Sequence, residues 1–309
     1  MTRTVLVTGC SSGIGFATAR AFLEADRDWR VYATARSRDR DDLRDLESRG
    51  AEIAALDLTN PDDIDRVVDR IRADAGGVDC LVNNAGYGQF GPLEDLDTEK
   101  LEAQFAVHCF GPHRLIRAVL PGMRERGGGR IVTVTSAADR LALAGIGGYN
   151  ASKWAAAGLH DALRQELTDT TVDVAVVQPG VVKTDFYDRV AAELDETEST
   201  AGPSPHADYY RALRRLRAIE GGGPLINDPD RVARTILEAA SESSPSAYYR
   251  VGPLPLLGSL YGTLVPAVVR DRLTRFGLRV AASEPVLDLL DRRVPTDSVS
   301  ERDSSGRSR

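Results

Sequence analysis

The chain has 309 residues, of which 42% are hydrophobic and 28% charged, and a formal net charge of −7. That is apolar material for a large packed core, and acids and bases interleave instead of forming blocks, which argues against a nucleic-acid binder. The three cysteines, Cys10, Cys80 and Cys109, match no metal-ligand spacing, so no metal is expected, and their odd number suits a reducing compartment.

Residues 4–7 form the first short apolar run, with no charged leader or long apolar stretch before them, so a cytoplasmic location is expected. Directly afterwards Thr8-Gly-Cys-Ser-Ser-Gly-Ile-Gly15 opens a helical pattern over residues 15–25. Glycines at such a strand-to-helix turn let the backbone approach a pyrophosphate, whose charge the helix N-terminus meets. The second strand, residues 31–34, ends at Ala35 and Arg36. An acid at this point would accept hydrogen bonds from an NAD ribose; Ala35 followed by a guanidinium favours the 2′-phosphate of NADP(H) over NAD(H). Arg38 and Arg40 are expected to be solvated loop charges, neutralised by Asp39, Asp41 and Asp42.

Strand candidates recur at residues 53–56, 80–82, 131–134, 172–177 and 247–251, and helical patterns at 61–75, 98–126 and 149–167. Such alternation implies βαβ units, which predicts an α/β fold: a doubly wound, seven-stranded parallel sheet with helices on both faces, spanning residues 1–290 as one domain. Within the last of those helices, Gly148-Tyr-Asn-Ala-Ser-Lys153 carries a lysine in a chain that uses only three, against 36 arginines. Residues four apart share a helix face, so the Lys153 ammonium can stand beside the Tyr149 phenol and favour its ionised form. After Pro179-Gly180 the alternation stops. Residues 186–226 read as a mostly helical, polar insertion with a loop over 197–205, a substrate lid by its position. Residues 251–269 carry no charge, yet Pro253, Pro255, Gly258, Gly262 and Pro266 interrupt them too often for a comfortable membrane span. The extension over 253–290 therefore has four readings: substrate cover, subunit contact, peripheral attachment to a bilayer, or simple core packing. Residues 291–309, almost without apolar side chains, are expected to be a disordered tail.

The glycine spacing, Asn83-Asn-Ala-Gly86 after the fourth strand, Ser136 thirteen residues before Tyr149, Lys153, and Pro179-Gly-Val-Val-Lys-Thr184 together resemble the short-chain dehydrogenase/reductase family. The resemblance implies that Tyr149 exchanges a proton with the substrate oxygen, Ser136 hydrogen-bonds that oxygen, and Lys153 serves both the tyrosine and the nicotinamide ribose. It further implies a cofactor site made of Thr8, Gly9, Ser11, Ser12, Gly13, Ile14 and Gly15, of Asp57 and Leu58 toward the adenine, of Asn84, Ala85 and Gly86, and of Pro179, Gly180, Val182 and Thr184 at the nicotinamide. One position departs: where the family has an asparagine whose main chain anchors a proton-relay water, this chain has His108, in Val107-His-Cys-Phe-Gly111. His108 either keeps that catalytic relay or is a structural histidine filling a helix interface. His113 and His160 are expected to be solvated or packed, and His206 to lie in a loop.

Within the family, residues 8–15, 31–36 and 248–252 resemble the branch of 17β-hydroxysteroid and retinol dehydrogenases. This implies an apolar small-molecule alcohol or ketone as substrate. Tyr87, Phe90, Phe186, Tyr187, Tyr209 and Tyr210 suit the lining of such a pocket. Association into a homodimer or homotetramer through the helices at 98–126 and 149–167 is implied as well. The alternative is a regulatory or scaffolding protein that binds NADP but has lost the chemistry.

Overall fold

In the computed structural model, residues 2–214 and 225–281 are described. Seven strands pair in the order β3-β2-β1-β4-β5-β6-β9, every pair parallel: β1 (Arg3–Thr8), β2 (Trp29–Ala35), β3 (Glu52–Ala55), β4 (Cys80–Asn83), β5 (Gly129–Val134), β6 (Val172–Pro179) and β9 (Tyr248–Val251). The runs are apolar without alternation because both faces are covered. Val5 and Val7 pack toward α1 (Gly13–Leu23), α2 (Asp41–Ser48) and α9 (Pro229–Ser241), whereas Leu6 packs toward α3 (Pro61–Ala75) and α5 (Gly111–Glu125). The strand order reverses between β1 and β4, and the crevice beyond their carboxyl ends is where this architecture binds ligands. The segments carrying the glycine-rich turn, Asn84 and Ser136 all leave the sheet at that end.

The long helix expected over residues 98–126 is divided. α4 (Thr98–Phe105) gives way to a single π-helical turn, Ala106–Phe110, before α5 begins. Proline explains the break: Pro112 has no N–H to give the His108 carbonyl, which would be its α-helical acceptor. Arg38 and Arg40 lie in the loop, as expected, and helix α2 follows them without a counterpart among the expected helices; it buries only Leu43 and Leu46, too few to show a period. α6 (Gly147–Glu166) starts two residues before the expected 149.

Beyond β6 the chain makes a two-stranded parallel sheet, β7 (Val181–Val182) with β8 (Ile226–Asn227), too short to leave a sequence pattern. Between them lie α7 (Phe186–Ala201) and α8 (Ala207–Arg214). The loop expected over 197–205 is shorter than that, because α7 continues to Ala201 with the Thr197 and Thr200 hydroxyls bonded back to the carbonyls of Glu193 and Glu196. The C-terminal extension is helical, α10 (Leu254–Leu264) and α11 (Ala267–Ala281), with its prolines at helix starts and between the two helices, where a missing N–H costs nothing. Residues 215–224 of the expected lid, 282–290 of the extension and the expected tail lie outside the described residues. Among the described residues no helix is long and apolar enough to cross a membrane, and no group of His, Cys, Asp or Glu could hold a metal ion. The three cysteines are free and buried.

Candidate active site

The glycine-rich turn is fitted to the loop after β4 by direct contact. Thr8 donates its hydroxyl to the Val82 carbonyl and accepts the N–H groups of Asn84 and Ala85, each at 3.0 Å. Asn84 Nδ2 returns a bond to the Thr8 carbonyl at 2.9 Å. Gly9 takes a positive φ of 75°, and a Cβ on Gly15 would stand 2.1 Å from the Gly9 carbonyl oxygen, so neither position admits a side chain. Ser12 occupies the N-cap position of α1 without capping it, and no acid lies in the first turn, so the helix retains N–H groups for an anion. Ser11 and Ile14 are half-buried beside it. A Cβ on Gly13 would lie 2.9 Å from the Thr184 methyl, which places the start of the segment after β7 directly on the turn.

At the end of β2, Ala35 is buried and Arg36 exposed. Arg38 pairs with Glu47, and Asp39 and Asp41 pair with Arg44, so the neutralisation expected around Arg38 is real but runs through other partners; Arg36 takes part in none of these pairs. Asp57 uses one carboxylate oxygen to hold the Thr59 backbone and hydroxyl. The Leu58 side chain is core, packed where a Cβ on Gly111 would fall. Gly180 donates to the Val251 carbonyl and Val182 is buried, so this segment is fixed to β9 and β8.

Ser136, Tyr149, Lys153 and His108 converge. Ser136 leaves β5 with its hydroxyl accepting the Ala138 N–H at 3.2 Å and in hydrogen-bonding reach of the Tyr149 phenol. Lys153 Nζ lies 5.9 Å from the Tyr149 ring centre and donates to the Val134 carbonyl at 3.2 Å. Both side chains are buried, and burial decides their charge. It pushes the phenol above its ordinary value, the Ser136 bond opposing only in part, and it pulls the Lys153 ammonium down to about 8. The expected lowering of the tyrosine by Lys153 is therefore not what this arrangement gives: burial raises the phenol, and the group that opposes it is Ser136.

His108, on the π-helical turn, is neutral, held well below its ordinary value by burial and by Lys153. Its Nε2 accepts the Tyr87 N–H at 3.2 Å, and since the Ser152 hydroxyl donates to the Tyr149 carbonyl, Nδ1 carries the proton and donates to Ser152 at 2.8 Å. Both nitrogens are thus used in tying the loop after β4 to α6. A Cβ on Gly86 would lie 2.9 Å from that Nε2 and 3.6 Å from Lys153 Nζ.

Aromatic rings close around the phenol. Phe90 and Phe186 meet the Tyr149 ring edge to face at 5.6 and 5.8 Å, and Tyr187 meets Phe186 at 5.3 Å. Tyr210 is in the same cluster but is core, its hydroxyl on Asp95, and Tyr209 instead faces His206, which pairs with Glu94. These two do not join the lining expected of them, because α8 turns Tyr210 to Asp95 and Tyr209 to His206. His206 lies in a loop, His113 is exposed and His160 is packed against Thr133, as expected. Two further residues meet the site without a sequence signal. Arg189 of α7 donates to Ser12 at 2.9 Å, and Asp139, almost wholly buried, accepts from Gln178 at 2.7 Å with its other oxygen unpartnered. Burial raises the Asp139 carboxyl. Neither residue stands in a recognisable pattern; only folding brings each to the site.

The model of the short chain dehydrogenase family matches residues 3–195. Human retinol dehydrogenase 8 is 32% identical over 276 residues, covering 84% of this chain and 88% of that protein. Human 17-beta-hydroxysteroid dehydrogenase type 1 is 31% identical over 264 residues, covering 81% and 77%. A short-chain dehydrogenase of Streptomyces avermitilis, of known crystal structure, superposes with a TM-score of 0.71 at 32% identity, covering 90% of this chain and 96% of that one. With a glycine-rich turn at the switch point of a doubly wound sheet and a serine, tyrosine and lysine meeting beside it, the chain belongs to the short-chain dehydrogenase family of NAD(P)-dependent oxidoreductases.

Proposed function

We propose that the protein is an NADP(H)-dependent oxidoreductase that interconverts a secondary alcohol and a ketone on an apolar substrate of the steroid, retinoid or lipid kind. The observation that carries this reading is the enclosure of the Tyr149 phenol, hydrogen-bonded to Ser136, by Phe90 and Phe186: a proton-transfer group at the floor of an apolar, aromatic site. The bound dinucleotide supplies the hydride acceptor or donor.

The residues present fit that group. The N-terminus of α1 and the side-chain-free turn at Gly9 and Gly13 suit a pyrophosphate, and Arg36, outside the ion pairs that occupy Arg38 and Arg44, suits a 2′-phosphate. Thr184 lies against the turn and is the candidate for holding the carboxamide. Tyr149 passes the proton to or from the substrate oxygen while Ser136 orients that oxygen. Lys153 stabilises the phenolate as it forms, at the moment when burial alone would oppose it. The relay beyond Lys153 runs through the main-chain carbonyl of His108, which Pro112 leaves without its helical donor, so the imidazole is free to serve the scaffold. The described part of the expected lid, α7 and α8, acts as a cover over the substrate, with Arg189 on Ser12 as its latch. The similarity to a retinol and a hydroxysteroid dehydrogenase supports the apolar substrate class, and the three free, buried cysteines suit a reducing, cytoplasmic setting.

The test is NADPH consumption by the purified protein across a panel of apolar ketones. Tyr149→Phe is expected to abolish turnover while leaving cofactor binding intact; undiminished rates in the variant would refute the assignment.

A further inference from the structure

We infer that α10 and α11 together form a face that docks on the surface of an anionic lipid bilayer. On α10, Leu256, Leu257, Leu260 and Leu264 share one side, each between 46% and 71% exposed, while Pro255 and Gly258 are buried on the other. On α11, Val269, Leu273 and Phe276 repeat at intervals of four and three, 43–67% exposed, while Arg270, Thr274 and Leu278 form the half-buried side toward α8. A water-soluble surface has no use for two adjacent helices with leucines and a phenylalanine outward.

The charges select the partner. Arg272, Arg275 and Arg279 are exposed beside the α11 stripe, and the only acid in residues 254–281 is Asp271, in a chain whose net charge is −7. Apolar side chains flanked by arginines, on helices too short to span, are the pattern of a segment lying in the headgroup region, and anionic lipids attract each basic residue there. A second copy of the chain is a poorer occupant, because a two-fold contact through this face would bring these arginines against their own equivalents. Gly262 lets α10 ride on the loop behind Ser136, where a Cβ would stand 2.3 Å from the Arg140 carbonyl oxygen. Docking therefore holds the serine-bearing loop against the phase in which an apolar ketone dissolves, a consequence that rests on the substrate class proposed above; the docking itself does not.

The test is flotation of the full-length protein with vesicles of phosphatidylcholine alone and of phosphatidylcholine mixed with phosphatidylglycerol, without cofactor or substrate. Binding is expected only to the mixed vesicles and is expected to fall at high salt. Arg272→Gln/Arg275→Gln/Arg279→Gln and, separately, Leu273→Ser/Phe276→Ser should each weaken it by roughly tenfold or more. Both variants should keep the wild-type melting temperature, since the side chains are exposed. Absence of binding to the mixed vesicles, equal binding by wild type and the arginine variant, or a smaller oligomer in light scattering for the Leu273/Phe276 variant would each overturn the assignment. Turnover of a water-soluble ketone, measured alongside, reports on the enzymatic reading independently.

Discussion

Lys153 is held in the interior at a thermodynamic cost that its proposed chemistry requires. Its folded value of about 8 lies below the ordinary 10.5, so between those two pH values the unfolded chain binds a proton that the folded one lacks, and stability rises with pH across that window. Below about 8 the full cost of keeping a buried ammonium charged remains, on the order of 3 kcal/mol from the size of the shift. Lys153→Met is therefore expected to abolish turnover yet unfold at higher urea than wild type at pH 7, with the gain shrinking as the pH is raised above 8. A variant less stable than wild type at pH 7 would contradict the burial argument. Arg36 makes the opposite kind of contribution, on the ligand side only. Arg36→Ala should weaken NADPH binding by about 1.5–3 kcal/mol, the worth of a charge-assisted contact, and leave NADH nearly unaffected. Equal weakening of both in calorimetric titrations would remove the proposed 2′-phosphate contact.

Secondary-structure elements meet this site at their ends, so their termination matters more than their interiors. The helix before β5 would be one continuous helix but for Pro112, and the resulting π-helical turn is what brings His108 between Tyr87 and Ser152. α9 has no basic residue in its last turn, and Arg130 of β5 replaces one, donating to the carbonyls of Ala239 and Glu242 at 2.6 and 2.8 Å while pairing with Asp173. Arg130 is itself buried, so Arg130→Ala should lower stability by about 2–4 kcal/mol in urea titration, through the lost helix-end bonds and the space left behind. Little change in that titration would mean that packing on α1 and the sheet suffices to hold α9.

At the scale of the molecule, the exposed Phe110, Trp154 and Leu159 lie on the π-helical turn and on α6, two elements packed together, and we propose this face for the homodimer that the family resemblance implies. Trp154→Glu is expected to convert the dimer to monomer in light scattering; a variant that still dimerises would move the interface elsewhere. The seven strands, their parallel sheet and the residues of the glycine-rich turn, Ser136, Tyr149 and Lys153 were legible in the chain itself. Apolar period, glycine spacing and residue type are local properties, and βαβ topology follows from their alternation. The fate of other residues depended on the angle at which distant elements meet. Tyr209 and Tyr210 look as suitable for a pocket as Phe90 and Phe186, and only the placement of α8, with Tyr210 on Asp95 and Tyr209 on His206, turns them away. Arg189 meets Ser12 across 177 positions of sequence, which no local pattern encodes. Sequence alone thus determined the alternation of elements and, through the family resemblance its motifs carry, named the groups proposed for the chemistry, because motifs and spacing are written along the chain. Tertiary structure decided which of them are desolvated, since burial of Tyr149, Lys153, Asp139 and His108 depends on what covers them, and it is that burial which sets their charge.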